Sequence, residues 1–341
     1  MAAVLLGVWA TQAPLAKEVR VALDAVSRAS HAAARMQRLA VASARKADAS
    51  PVTVADFTVQ AFVLSSLAEE FPADRFIAEE TSREFLAAGA SVRDAVVHAC
   101  SELRGGATEQ SVCDALDLGA TGAVDGWSRA GRTWVLDPID GTKGFVRGDQ
   151  FAIALALLDE GQPRLGFLGC PRADRPVPGG VIFWAQRGHG AFYRRLDAAD
   201  QVDTPIRTDP VTAPELVVPC EAAEASHTSF SQSAAALVSL GFDKTPPIRI
   251  DGQGKYGLVG CGEAHVYTRL PRSGYVENIW DHAAGACIVE EAGGCVTDLD
   301  GNPLDFSLGA TLGDHVKGIV ATNGPVLHKL VLRALATEGA S

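Results

Sequence analysis

The segment Trp134-Val135-Leu136-Asp137-Pro138-Ile139-Asp140-Gly141-Thr142-Lys143-Gly144-Phe145 constrains this chain more than any other. Its apolar lead-in, Trp134 to Leu136, predicts a buried strand. The strand ends in two carboxylates three residues apart, with a proline between them and Gly-Thr directly after. Proline fixes its own φ and glycine accepts unusual backbone conformations, so a tight, rigid turn is expected there. Like charges held together at a strand end repel unless something neutralises them. A hard cation with oxygen ligands does this most simply. A bare D-x-x-D also marks solvated surface turns, but those lack the apolar lead-in and the fixed Pro, Gly and Thr.

Two further segments repeat the theme. Phe76-Ile77-Ala78 runs into Glu79-Glu80, again an apolar stretch ending in adjacent carboxylates. Later, Asn278-Ile279-Trp280-Asp281-His282-Ala283-Ala284-Gly285 leads into a helical pattern in which Ala283, Ala284, Ile288 and Val289 recur and Gly293-Gly294 stops the run. An acid where that helix begins is a natural N-cap, which is the plain structural role for Asp281. Three acidic sites far apart in sequence, each at the end of an apolar element, imply one cluster assembled by folding. Carboxylates without histidine or cysteine partners favour magnesium over zinc or copper.

Composition narrows the class. A chain of 341 residues suggests roughly two domains with sizeable cores. The net charge of −11 argues against broad binding to nucleic acid or anionic membranes. It does not argue against a small anionic substrate, because metal ions and a few local cations set the field inside a pocket. No apolar run approaches the ~18 residues of a membrane span. The seven cysteines, at 100, 113, 170, 220, 261, 287 and 295, are scattered without C-x-x-C, so neither a zinc site nor a secreted disulfide framework is expected. Residues 1–10 are apolar but lack a basic n-region, the first positive side chain being Lys17. No signal peptide is expected, and the default location is cytoplasmic, with an organelle left open.

The pattern predicts a long amphipathic helix over 17–44, another over 58–68, and a helix-prone stretch over 81–131 broken by glycines. Strands over 151–158, 164–169 and 181–185 form an antiparallel meander after the motif. The polar, turn-rich stretch 194–205 is where a boundary is drawn. It separates an α+β part (1–203), which carries the Glu79 and Asp137/Asp140 sites, from an α/β part (204–341), which adds Asp281. A C-terminal helix is expected over 325–336.

These motifs together resemble the magnesium-dependent, lithium-sensitive phosphatases of the inositol monophosphatase superfamily, in particular its 3′(2′),5′-bisphosphate nucleotidase branch. Ser50-Pro51-Val52-Thr53-Val54-Ala55-Asp56, Glu79-Glu80, Asp140-Gly141-Thr142-Lys143-Gly144-Phe145-Val146-Arg147-Gly148, Gln253-Gly254-Lys255-Tyr256-Gly257, Tyr267-Thr268-Arg269-Leu270-Pro271 and Trp280 to Gly285 carry the likeness, from about residue 17 to 323. The resemblance implies an α/β fold with an α+β N-terminal part, a layered αβαβα sandwich with the site in a cleft. It implies two or three Mg2+ ions held by Glu79, Asp137, Asp140, Asp281 and the backbone carbonyl of Ile139. Asp56 and Thr142 would orient and deprotonate the attacking water. Asp56 could otherwise be a helix cap and Thr142 an ordinary turn threonine. Asp137, Asp140, Gly141, Thr142, His227, Gly252, Lys255, Arg269 and Asp281 would contact substrate, Lys255 and Arg269 serving the phosphate that is not cleaved. The branch usually has Ser-Gln-Ala-Lys where this chain has Gly252-Gln253-Gly254-Lys255, so one hydroxyl contact is missing. The implied activity is removal of the 3′-phosphate of adenosine 3′,5′-bisphosphate, and by extension of 3′-phosphoadenylyl sulfate. The partner would be a small nucleotide, with no nucleic acid or membrane, and the enzyme a monomer or small homo-oligomer. Alternatives are an inositol polyphosphate 1-phosphatase and a non-catalytic bisphosphate nucleotide sensor.

Overall fold

A computed structural model describes residues 15–43, 51–120, 131–223, 230–271 and 274–339. Its first sheet pairs β1 (Arg75–Ala78) in parallel with β2 (Arg132–Asp140). It then runs antiparallel through β3 (Ala152–Asp159), β4 (Gln162–Cys170), β5 (Val181–Gln186), β6 (Gly190–Arg195) and β7 (Asp203–Ile206), in sequence order. The continuous apolar character of β3 has a direct cause. Ala152, Ala154, Ala156 and Leu158 belong to one core, and Ile153, Leu155 and Leu157 to another. A strand covered on both faces has no solvated side, so it alternates small with large rather than apolar with polar.

On one face lie α1 (Ala16–Ser43) and α2 (Pro51–Glu70), which bury Val21, Val26, Phe62 and Leu67 against Trp134 and Phe167. The short helices α3 (Ser82–Ala87), α4 (Ala90–Arg104) and α5 (Glu109–Leu118) pack on α2 through Phe57, Phe85, Val96 and Leu116. Helix α6 (Thr142–Arg147) follows the motif directly. The second sheet has the order β11-β12-β10-β8-β9, from β8 (Pro219–Glu221), β9 (Ile248–Arg249), β10 (Val266–Arg269), β11 (Cys295–Asp298) and β12 (Ile319–Thr322). Its outer face carries α7 (Phe230–Ser239) and α10 (Pro325–Gly339), joined through Ala236, Val320, Leu327 and Val331. Between the sheets sit α8 (Gly254–Gly260) and α9 (Ala283–Glu291), whose Leu258, Val259, Cys287 and Ile288 meet Phe183 on one side and Tyr267 and Ala321 on the other. The layers are therefore αβαβα, as expected.

Several boundaries differ from expectation. Helix α2 begins at Pro51 rather than near residue 58, because proline is tolerated in the first turn where its missing N–H has no partner to lose. Asp56 accordingly lies inside the helix and is not its cap. Strand β7 begins at 203 and pairs with β6, so the first sheet continues to Ile206, across the boundary drawn between 203 and 204. The glycine-rich stretch over 121–130 lies outside the described residues. No described helix is long and apolar enough to cross a membrane.

Candidate functional site

The turn expected after Leu136 is not where the chain turns. β2 continues through Asp140, and the left-handed residue is Gly141 at φ 92°. What unites the two acids is a slip in register. Asp137 pairs with Ala154 and Asp140 with Ala152, so three steps on β2 span two on β3. In a regular strand, residues three apart point to opposite faces. The extra residue of the bulge at Pro138–Ile139 puts Asp137 and Asp140 on the same side. Ile139 stays in the core at 1% exposure while also lining the cleft.

Two other elements deliver the remaining acids. Ala78 pairs with Leu136 in the parallel register of β1 and β2, so Glu79, leaving the end of β1, comes beside Asp137 on β2. Asp281 ends a 3-10 turn (Ile279–Asp281), and His282, not Asp281, is the N-cap of α9. The aspartate is thereby freed from capping. One carboxylate oxygen from each of Asp137, Asp140 and Asp281 lies within 4.8 Å of the others.

The electrostatics are those of a cation site. Asp137 is fully enclosed, and its carboxyl is pushed well above the usual range by burial and by the charges of Glu79, Asp140 and Asp281. Its Oδ1 is buried without a hydrogen-bond donor among the described residues. Glu79 is exposed on the cleft, and lost hydration together with the charges of Glu80, Asp281 and Asp140 raises its carboxyl to about 8. Burial raises Glu80 to about 7, with Glu84 adding to the effect. Asp281 rises to about 6 through burial, although Arg269 opposes the shift. Asp137 is buried and Asp140 and Asp281 are half-buried, and such an acidic set with an undonated oxygen is satisfied by a hard cation. Glu277 and His282 also come near Asp281. Both imidazole nitrogens are engaged, Nδ1 with the Tyr256 hydroxyl at 2.8 Å and Nε2 with Glu277 at 3.0 Å, so His282 braces the site and is not a ligand.

These residues open onto a cleft of about 220 Å3 between the sheets, lined also by Gly141, Thr142, Lys143, Asp251, Gly252, Lys255, Arg269 and Tyr275. Thr142 starts α6 and is exposed to the cleft. Asp56 is buried at 6% exposure, its carboxyl pushed well up by burial and by Glu80 and Glu79. No hydrogen bond joins Asp56 to Thr142 among the described residues. Gly252 takes φ 69°, and a Cβ built on it would overlap the Asp140 carbonyl oxygen. The serine usual in the resembling branch therefore has no room here. Lys255 is buried, its ammonium donating to Gly252 O at 2.7 Å and Ile250 O at 3.2 Å. Burial lowers its pKa, while Asp140 works the other way. Arg269 donates to Glu277 and Asp281, so this cation expected to face substrate is tied to the acidic cluster. His227 lies outside the described residues. The sequence reading missed Asp251 and Glu277. An Asp-Gly pair and a lone Glu before a helix carry no signal by themselves, because their partners are distant in sequence.

Comparison with known proteins agrees with this geometry. Residues 12–340 match the inositol monophosphatase family, and the chain belongs to it. Among curated relatives, a 3′(2′),5′-bisphosphate nucleotidase of Oryza sativa is 39% identical, covering 93% of both chains. The 3′(2′),5′-bisphosphate nucleotidase 1 of Candida albicans is 36% identical over 94% of this chain and 95% of its own. Among solved structures, the extragenic suppressor protein SuhB from Bartonella henselae superposes with a TM-score of 0.61 at 21% identity, covering 93% of this chain and 97% of that one. An inositol monophosphatase from Zymomonas mobilis gives 0.60 at 21%, covering 95% and 100%. At that identity the structures establish the fold.

Proposed function

We propose that this chain hydrolyses the 3′-phosphate of adenosine 3′,5′-bisphosphate to AMP and phosphate, and acts likewise on 3′-phosphoadenylyl sulfate. The observation that carries the reading is the clustered oxygens of Asp137, Asp140 and Asp281 in the same cleft as the buried ammonium of Lys255. Relatives carrying the bisphosphate nucleotidase name at 35–39% identity over most of the chain support it.

Glu79, Asp137, Asp140, Asp281 and the Ile139 carbonyl are the residues that would hold two or three magnesium ions. Bound Mg2+ lowers the pKa of water and neutralises phosphate charge in an in-line displacement. The protein supplies position and field. Thr142, exposed at the start of α6, has a hydroxyl that can hold a water beside the ester phosphorus. Asp56, its carboxyl raised by burial, would take the proton through that hydroxyl once substrate binding brings the two into hydrogen-bond reach. Lys255 spends two donors on backbone carbonyls, leaving the third for the phosphate that is not cleaved. The nucleotide is the expected partner, and lithium is expected to inhibit.

The deciding experiment is phosphate release from adenosine 3′,5′-bisphosphate and inositol 1,4-bisphosphate, side by side, with and without magnesium and lithium. Magnesium-dependent, lithium-sensitive turnover of the nucleotide is expected. Preference for the inositol substrate would overturn the pocket assignment, and binding of the nucleotide without turnover would favour a sensor.

A further inference from the structure

The cleft has a second tie, distant from the metal cluster in role but built on the same helix. Arg147 ends α6, five residues after Thr142, and its Nη2 donates to Asp251 Oδ2. Its Nε donates to Asp149 at 2.9 Å, which fixes the plane of the guanidinium. Asp251 is only 8% exposed, and its other oxygen accepts the Ala223 N–H at 3.3 Å. A carboxylate this enclosed needs such partners to offset its lost hydration.

The residues flanking Asp251 give the tie its consequence. The two carbonyls that hold the Lys255 ammonium are those of Ile250 and Gly252, one on either side of Asp251. Gly252 in turn lies against the motif. A Cβ built on Gly141 would stand 2.9 Å from the Gly252 nitrogen, so the two backbones are in contact. One end of α6 thus carries Thr142 and the metal turn. The other end pins the loop that presents Lys255.

We propose that Arg147 and Asp251 are positioning residues that set the spacing between the site of phosphate cleavage and a second subsite, at Lys255, for the other phosphate of a bisphosphate substrate. The inference rests on the reading of Lys255 given above. It makes the pair a determinant of specificity for two phosphates over one. The pair acts through Lys255 and does not itself touch the reacting atoms.

The test compares a bisphosphate with its monophosphate, adenosine 3′,5′-bisphosphate against adenosine 3′-phosphate, in wild type, Arg147→Met, Arg147→Lys, Asp251→Asn and the double variant Arg147→Met/Asp251→Asn. Arg147→Met and Asp251→Asn should each raise KM for the bisphosphate by about tenfold, the scale of one charge-assisted hydrogen bond. KM for the monophosphate, and kcat for both, should stay within about twofold. Arg147→Lys should recover part of the effect, and the double variant should be no worse than the worse single one. Equal changes for both substrates would reduce the pair to a structural contact and overturn the proposal, as would no change for either. If the wild type prefers inositol phosphates, the nucleotidase reading falls. The same ratio measured with inositol 1,4-bisphosphate and inositol 1-phosphate then decides the pair. If nothing is turned over, calorimetric affinities for adenosine 3′,5′-bisphosphate and adenosine 3′-phosphate replace KM, and an unchanged ratio overturns the proposal.

Discussion

Arg269 donates through Nε to Glu277 Oε1 at 2.7 Å, and its Nη2 reaches Asp281 Oδ2 at 3.3 Å. One guanidinium therefore links a fully buried carboxylate to a member of the acidic cluster. Glu277 also faces His282, which continues to the Tyr256 hydroxyl. Burial disfavours the charged Glu277, but hydrogen bonds and charge from His282 and Arg269 together hold its carboxyl down to about 2.

Glu277→Gln removes the charge that anchors Arg269 and should destabilise the fold by about 3 kcal/mol, as when one partner of a buried pair is lost. The pH dependence has a definite sign. A carboxyl lowered from 4.5 to about 2 stabilises the folded state fully above 4.5 and loses that contribution as pH falls through 2. The melting temperature of the variant should be flatter than that of wild type between those values. Parallel curves would contradict the network.

Arg269→Ala should lower kcat as well as raise KM, because the arginine contacts a cluster carboxylate and not substrate alone. Steady-state kinetics with the nucleotide checks this. A change confined to KM would return Arg269 to a purely substrate-binding role.

Asp140→Asn removes one charge from the cluster at the bulge and should abolish turnover while far-UV circular dichroism stays native. Activity within about tenfold of wild type would refute the metal assignment.

Magnesium should stabilise the protein more at pH 8 than at pH 5. Without a cation, Glu79, raised to about 8, and Asp281, raised to about 6, favour the folded state while protonated. That advantage is complete below their unfolded values and is lost as pH rises towards 8. Thermal unfolding in EDTA and in magnesium across that range measures it. An equal gain at both pH values would count against cation binding by these groups.

Gly252→Ser should cost about 1–2 kcal/mol from the left-handed backbone alone, with further loss from overlap on Asp140 O. Denaturant unfolding and KM for the nucleotide report the two effects. Tighter nucleotide binding at unchanged stability would show that the loop makes room for the hydroxyl.

The sequence by itself determined the long first helix, the antiparallel meander and the acidic residues, because these write their signals locally, while the αβαβα layering followed from the family resemblance. The apolar run of β3 reports a strand buried on two sides, and the Trp134–Phe145 motif, Phe76–Glu80 and Asn278–Gly285 each place an acid at the end of a core element. Only the tertiary structure decided how those acids meet. The bulge at Pro138–Ile139 depends on pairing with β3, and the pairing of Ala78 with Leu136 sets Glu79 beside Asp137. Glu277, Asp251 and Arg147 were not legible as a framework, since Arg147 and Asp251 are separated by 104 residues. Periodicity records which side of an element faces the core. Hydrogen bonds between distant loops leave no period in the chain, and folding alone brings their donors and acceptors together.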